Sequence, residues 1–363
     1  MALDVCIRGA GIVGRTLALL LARERLRVGL VRNPQRGTGA TSDVRAYALN
    51  AASKALLERV RGWPDEQHAT PVVRMEVHGD EGGELVFRAQ EQAASALAWI
   101  VDVPALLDRL EDALRYAPQV EWIDAPQQAS LTIVSEGRAS ATRCEFGVQF
   151  SVTPYPHHAI AARLDCEMPN ANVARQWFAN GEILALLPLG GSQVALVWSV
   201  MEQRTSALLS QEATQFCAQV EQACHGALGK MTLASERASW PLQMALADRW
   251  CGPGWVLAGD AAHNVHPLAG QGLNLGLADA GELAEVLHGR ESWRSIGDAR
   301  LLRRYERARK GDVLAMGAMT DGLQQLFARG DGAWAALRNW GLTGVDRAGP
   351  VKNWFVRQAM GRL

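Results

Sequence analysis

The sequence predicts a mixed α/β protein: a three-layer βαβ core assembled from two separate stretches of chain, an inserted and mostly antiparallel sheet module, and a helical C-terminal region. Three observations predict it. An apolar run, a glycine turn and an amphipathic helix open the chain; strand-like runs crowd its middle; and a strand, a glycine-rich loop and a helix recur after residue 250.

The opening elements read in order as a buried strand at Leu3–Arg8, a tight turn at Gly9–Gly14, a helix at Ile12–Arg25 and a second strand at Arg27–Val31, which together form a βαβ unit. A polar stretch from Asn33 to Asp43 leads into a helix at Asn50–Arg61. Val72–Phe87 alternates and is broken by Gly79, Gly82 and Gly83, as a hairpin is. Strands at His158–Leu164, Ile183–Leu189 and Val194–Val200 precede a helix at Gln211–His225. Trp255–Ala258 and a helix at Gly272–Leu287 return to the first core, and Leu302, Tyr305, Met316, Met319, Leu323 and Leu326 keep helical spacing beyond Asp298. The expected division is 1–150 with 245–297 as one discontinuous nucleotide-binding domain, 151–244 as a substrate-binding sheet domain, and 298–363 as the helical region.

Composition narrows the function. A chain of 363 residues, 48% hydrophobic and 21% charged, is neither disordered nor fibrous. Its formal charge of -1 provides no global field toward nucleic acid or anionic lipid. Its apolar runs, such as Leu17–Ala22, fall short of the roughly 18 residues that cross a bilayer. Asp4 and Arg8 interrupt the N-terminal apolar stretch and glycines follow before any cleavage site, so a cytoplasmic protein is expected. Cys6, Cys144, Cys166, Cys217, Cys224 and Cys251 lack CxxC or zinc-ligand spacing, which predicts buried thiols and no metal.

In Gly9-Ala10-Gly11-Ile12-Val13-Gly14 the first glycine permits the turn, the second lets the backbone approach a pyrophosphate, and the third lets helix pack on strand. The helix N-terminus supplies amide donors, so this is a Rossmann-like dinucleotide turn. The second strand should end in an acid that bonds the adenosine ribose, yet it ends in Val31-Arg32, with no Asp or Glu between Glu24 and Asp43. Arg32 can favour a 2′-phosphate, which makes NADP a rival ligand, or it can be a solvated cation over the adenine edge. The sequence leaves both open.

A second motif runs from Trp255 through Gly259-Asp260-Ala261-Ala262-His263 and His266-Pro267-Leu268-Ala269-Gly270-Gln271-Gly272-Leu273-Asn274-Leu275-Gly276. It resembles the second flavin-binding motif of single-component FAD-dependent aromatic hydroxylases, which share the para-hydroxybenzoate hydroxylase-like fold. The wording is most similar to the ubiquinone-biosynthesis hydroxylases. The likeness covers nearly the whole chain, including Asp43–Leu49, Gln176–Phe178, Gly181–Leu189 and Tyr305–Lys310.

The resemblance implies FAD as cofactor and NAD(P)H as co-substrate. Asp260 would accept hydrogen bonds from the ribityl chain, and Pro267, Gly270, Gln271 and Gly272 would lie against the isoalloxazine. Gly259, Leu273 and Asn274 would join the cofactor contacts, and Arg45 would touch the flavin and its phosphates. A helix beginning at Gly272 aims its positive end at the flavin N1 and C2 carbonyl, where charge accumulates on reduction. The residues by themselves also admit Asp260 as a helix cap, Pro267 as a loop stiffener and Arg45 in a surface ion pair. His263 and His266 lack carboxylate or thiol companions at ligand spacing and read as loop or flavin contacts. One departure stands out: Glu136-Gly137 occupies the place of the family's Asp-Gly pair.

By the same resemblance, dioxygen would add to reduced FAD, and the resulting flavin C4a-hydroperoxide would hydroxylate an electron-rich aromatic ring, here a prenylated phenol of ubiquinone biosynthesis. Trp177, Phe178, Leu187 and Pro188 are candidates for the substrate pocket or for the core. His157 or His158 could deprotonate a phenol, or could be surface groups. A prenyl tail implies contact with a lipid carrier, a biosynthetic complex or the inner membrane, where the protein would be peripheral. The arginines from Arg300 to Arg309 with Lys310, and Trp334, Trp340, Trp354 and Phe355, could serve such contact or form a solvated face and core. A homodimer is compatible with this reading. Arg32 and Glu136 prompt an alternative, a flavin-poor scaffold subunit of a quinone-biosynthesis complex; a hydroxylase of another small aromatic is the third reading.

Overall fold

The computed structural model describes residues 2–32, 43–79, 82–264 and 271–328. Strand β1 (Leu3–Arg8) buries Val5, Cys6 and Ile7 in succession, as a strand covered on both faces requires. The glycine turn delivers the chain into α1 (Ile12–Arg23), buried from Gly14 to Ala22, and β2 (Val28–Val31) returns parallel to β1 with Val5 opposite Val28. Next come β3 (Ala46–Leu49), α2 (Ala51–Arg59), β4 (Ala69–Val72), the hairpin β5 (Arg74–His78) and β6 (Glu84–Arg88), and β7 (Ala98–Asp102). Helix α3 (Val103–Arg115) has proline in its first turn and lays Leu106, Leu107, Leu110 and Leu114 on the core. Strands β8 (Val120–Ile123) and β9 (Ala129–Val134) precede α4 (Ala141–Glu145), which the Ser140 hydroxyl caps.

The middle of the chain holds β10 (Phe150–Cys166), β11 (Val173–Ala179), β12 (Glu182–Pro188), β13 (Gln193–Met201), α5 (Glu202–Ser210), α6 (Ala213–Ala223), β14 (Met231–Leu233) and β15 (Ala238–Ala247). The helix expected at Gln211–His225 is shorter. It is interrupted from α5 at Gln211 and ends where His225 and Gly226 take positive φ. After β16 (Cys251–Gly252), β17 (Trp255–Leu257) and β18 (His263–Asn264) come α7 (Gly272–His288) and α8 (Ala299–Ala328).

These strands form three sheets. The six-stranded sheet runs β16-β17-β9-β1-β2-β8, and the late strand β17 joins it parallel to β9. Its core draws Leu17 and Leu21 of α1, Leu106 and Leu110 of α3, Leu277 and Leu283 of α7, and Leu302 and Tyr305 of α8 into one cluster. The nine-stranded sheet runs β18-β15-β10-β13-β12-β11-β5-β6, with β14 on β10. The hairpin expected beside the first module belongs to this sheet, because β5 pairs parallel with β11, Arg74 opposite Val173. Strands β3, β7 and β4 make the third sheet. The mixed α/β class is as predicted. Among the described residues no helix is long and apolar enough to cross a membrane.

Candidate active site

The glycine turn behaves as its spacing requires. Gly9 has φ +113, and a Cβ there would sit 2.4 Å from the Ser135 carbonyl oxygen. A Cβ on Gly14 would lie 1.9 Å from the Gly9 carbonyl oxygen. Gly11 is different: among the described residues it caps α1 without a side-chain hydrogen bond, and a Cβ on it would meet nothing within 4 Å. The turn is thus closed on its protein side and open at the helix N-terminus, where amides and dipole favour a phosphate. Arg15 braces it from behind, donating to the carbonyls of Ala10 at 2.9 Å and Leu107 at 2.8 Å.

The two motifs, some 250 residues apart in sequence, interlock at Val13. A Cβ built on Gly259 would lie 3.3 Å from a Val13 methyl, and one on Gly276 2.8 Å from it. Ile12 packs beside it against the core. Gly259 has φ +62 and starts the single turn that presents Asp260. Asp260 is accessible from the cleft, yet the protein mass around it desolvates the carboxyl and raises its pKa, against the opposing charges of His263, Arg138 and Arg45. Asp260 is thus open to a partner while the surrounding protein disfavours its charge.

A buried ionic network holds that turn, and its central residue escaped the sequence reading. Asp279 of α7 is fully buried. One oxygen accepts from the Gly259 amide at 2.9 Å and bonds His263 Nε2 at 2.6 Å; the other accepts from Arg309 Nε of α8 at 2.9 Å. Desolvation alone would raise the Asp279 pKa, but the charges and hydrogen bonds of His263 and Arg309 together outweigh it and leave the carboxyl below its ordinary value. The His263 ring stacks on Trp250 at 5.0 Å, so it is a structural partner here. The available signal was positional: an acid amid Leu275, Leu277, Ala280 and Leu283 of an apolar helix needs a buried partner.

Arg45 forms a two-bond ion pair with Asp43 at 2.8 and 2.6 Å and lies 3.5 Å from the Tyr47 hydroxyl, while its charge reaches Asp260. Burial pushes the Tyr47 phenol up, opposed by Arg45. Asn274 is directed into the protein. Its oxygen accepts from the Asn50 amide at 3.0 Å and the Ser53 hydroxyl at 2.7 Å, and its nitrogen donates to Ala48 O at 2.8 Å and Gln271 Oε1 at 3.2 Å. The side chain therefore ties the start of α7 to the β3–α2 segment that carries Arg45. Gln271 is buried at that helix start, and Leu273 packs partly buried against the core. Pro267, Gly270 and His266 lie outside the described residues.

Glu136 caps α4, accepting from the Ser140 and Thr142 hydroxyls at 2.7 Å each and from the Thr142 amide at 3.2 Å. Arg143 then bridges the Arg138 carbonyl at 2.8 Å and the Ala261 carbonyl at 3.1 Å, which fastens this loop to the Asp260 turn. Arg32 lies over the Trp122 ring at 5.2 Å and 3.5 Å from Asp124, at the end of the adjacent strand β8.

Strand alternation divides the four residues expected at the substrate pocket. Trp177 is buried beside Leu184 and Leu186 in the cluster under α5 and α6, on the far side of the nine-stranded sheet from the cleft. Pro188 follows the same parity as Leu186. Phe178 stands opposite Ile183, on the face that is only half-buried along Ile183, Ala185, Val197 and Ser199. Leu187 shares that face but packs with Leu189, Ala195 and Ile100 between the nine- and three-stranded sheets. From the same face Arg163 bonds Asp102 and reaches the Asp43 carbonyl, beside Arg45. The half-open apolar face therefore fronts the Arg45 side of the cleft.

The thiols are buried except Cys144, and burial pushes Cys166 up to about 11 and Cys251 up to about 12, so they are poor nucleophiles. No cluster suited to a metal ion exists among the described residues.

Comparison with known proteins agrees with this geometry. Residues 124–316 match a family model described as an FAD binding domain. The chain is 31% identical to the ubiquinone hydroxylase UbiL of Rhodospirillum rubrum over 99% of this chain and 90% of the relative. It is 29% identical to the 3-demethoxyubiquinol 3-hydroxylase of Escherichia coli over 99% and 98%. Among solved structures, a PqsL variant from Pseudomonas aeruginosa superposes with a TM-score of 0.79 at 21% identity, covering 95% of this chain and all of that one. The p-nitrophenol 4-monooxygenase PnpA of Pseudomonas putida superposes at 0.78 and 17%, covering 100% and 99%. The chain belongs to the FAD-dependent monooxygenase family that includes the ubiquinone-biosynthesis hydroxylases.

Proposed function

We propose that the protein hydroxylates the ring of a prenylated phenol in ubiquinone biosynthesis, with NAD(P)H as reductant and dioxygen as co-substrate. One observation carries the reading. The open glycine turn, Arg45 and Asp260 converge on one cleft, and the half-buried apolar face of the nine-stranded sheet fronts it.

These residues fit FAD. The space at Gly11 and the uncapped start of α1 suit its pyrophosphate, and Asp260 suits its ribityl hydroxyls. When bound, FAD supplies the reductive activation of dioxygen. The chain supplies the rest: the Asp279 network fixes the Asp260 turn, Asn274 fixes the start of α7, and Phe178, Ile183 and Val197 offer an apolar wall that orients an aromatic ring and excludes water. In this division of labour the six-stranded unit is the cofactor domain and the nine-stranded sheet the substrate domain. A prenyl tail would bring the protein to a membrane surface, a lipid carrier or a partner complex.

The test begins with the visible spectrum of the purified protein and mass spectrometry of any nucleotide it releases. Stoichiometric FAD, with NAD(P)H oxidation stimulated by a prenylated phenol, is the expected outcome. Stimulation by soluble phenols alone would move the substrate to another small aromatic. Failure to retain or take up FAD would overturn the proposal in favour of a scaffold role.

A further inference from the structure

Two adjacent histidines of β10 take opposite sides of the nine-stranded sheet. His158 stands opposite Val200 on the helix-covered side, 3.8 Å from Glu202. His157 shares parity with Ala159 and Arg163 on the other side and is 6% exposed. Its Nε2 lies 3.0 Å from the Gly181 carbonyl oxygen. A carbonyl only accepts, so Nε2 carries the hydrogen, and in the neutral ring the lone pair is on Nδ1. That Nδ1 is buried and receives no hydrogen bond from the described residues, so its lone pair is available to a donor on a bound substrate.

The surroundings suit an aromatic ring. Register places Ser199 and Ile183 in line with Phe178 on this face, and Trp240 opposite Ala159. The cofactor side meets the sheet at the same level, because Arg138, whose charge reaches Asp260, donates to the Pro241 carbonyl, and Pro241 pairs with His158.

We infer that His157 is the base for the hydroxyl of a phenolic substrate. The proton passes from the phenol oxygen to Nδ1, and the imidazolium keeps its Nε2 hydrogen on Gly181 while it faces the phenolate. The ionised oxygen enriches the ring at the positions where an electrophilic oxygen adds. This inference rests on the aromatic-hydroxylase reading above.

The test uses 2-geranyl-4-nitrophenol, whose phenolate absorbs in the visible, with FAD-loaded enzyme and no reductant, at a fixed pH that ionises about a tenth of the free probe. Wild type should raise the ionised fraction of bound probe about fivefold, the change expected if the phenol pKa falls by about one unit. His157→Gln can accept a hydrogen bond but not a proton, and should bind the probe with the ionised fraction of the free compound. Equal fractions in both bound proteins overturn the assignment. No binding by wild type overturns the prenylated-phenol reading above, and the assignment to that substrate falls with it. Nitrogen-15 spectra of histidine-labelled wild type give a second readout that needs no variant. One Nδ1 resonance should move from its lone-pair to its protonated position on adding the probe, and a spectrum in which none responds overturns the inference.

Discussion

Replacing Asp279 by alanine tests whether the buried network holds the cofactor turn. The carboxylate has no exposed surface, and its loss removes three hydrogen bonds, from the Gly259 amide, His263 and Arg309. Among the described residues the Arg309 side chain, 8% exposed, would keep Asp312 at 2.6 Å and a long bond to Leu275 O. Removing one partner of a buried ion pair costs about 3–5 kcal/mol, a large share of the roughly 5–15 kcal/mol that stabilises a domain. Chemical unfolding of the FAD-free protein measures this loss, and FAD titration should show affinity reduced about tenfold or more as the Asp260 turn loses its tether. The decisive comparison is the double variant Asp279→Leu with Arg309→Met, which leaves no uncompensated charge and should recover most of the stability lost in Asp279→Ala. A single variant within about 1 kcal/mol of wild type, or losses that simply add in the double variant, would refute the reasoning.

Three further outcomes follow from the same geometry. Burial raises the Asp260 pKa in the fold, so the carboxyl's advantage to folding is complete below its ordinary unfolded value and is lost as pH rises from there through the raised one. Asp260→Asn should therefore raise the neutral-pH melting temperature of the FAD-free protein while weakening FAD binding, as thermal unfolding and flavin fluorescence will show. Gly11→Ala should leave FAD-free stability within about 1 kcal/mol of wild type and still impair FAD uptake, whereas Gly14→Ala, whose methyl collides with backbone, should lose about 1–3 kcal/mol before any cofactor is added. Asn274→Ala strands the Asn50 amide and the Ala48 carbonyl and should cost about 2–4 kcal/mol in urea unfolding.

What the sequence made legible is what local pattern determines. The run from Leu3 through Val31 and the run from Trp255 to Leu287 each carry their own periodicity and punctuation, and both appear within a residue or two of expectation. Partnership between distant segments was not legible. Alternation over Val72–Phe87 marks a hairpin, yet nothing in it specifies that Arg74–His78 pairs parallel with Val173–Trp177, about a hundred residues on. Adjacent Trp177 and Phe178 had to point to opposite faces, but which face is covered depends on where α5 and α6 dock. Asp279 illustrates the same limit, since its apolar neighbours on α7 call for a buried partner without saying that Arg309 of the following helix supplies it.

The two departures from the family pattern become intelligible in the same terms. A glutamate in place of aspartate before Gly137 lengthens the side chain, and the added reach lets it cap α4 through Ser140 and Thr142. The capped helix presents Arg143, whose guanidinium joins the Arg138 and Ala261 carbonyls, so the loop and the Asp260 turn are fastened together through backbone atoms. At the other departure, Arg32 replaces the acid expected at the end of β2, but its own amide bonds the Ile123 carbonyl and Asp124 follows directly on β8. A carboxylate is therefore present at this edge of the sheet, carried by the neighbouring strand, 3.5 Å from the guanidinium. Neither change touches the interlock of Gly259 and Gly276 on Val13. A side chain added at either glycine would meet Val13 first, so that fit is a packing requirement of the two joined motifs, and FAD uptake by the purified protein is what separates a hydroxylase from a flavin-poor scaffold.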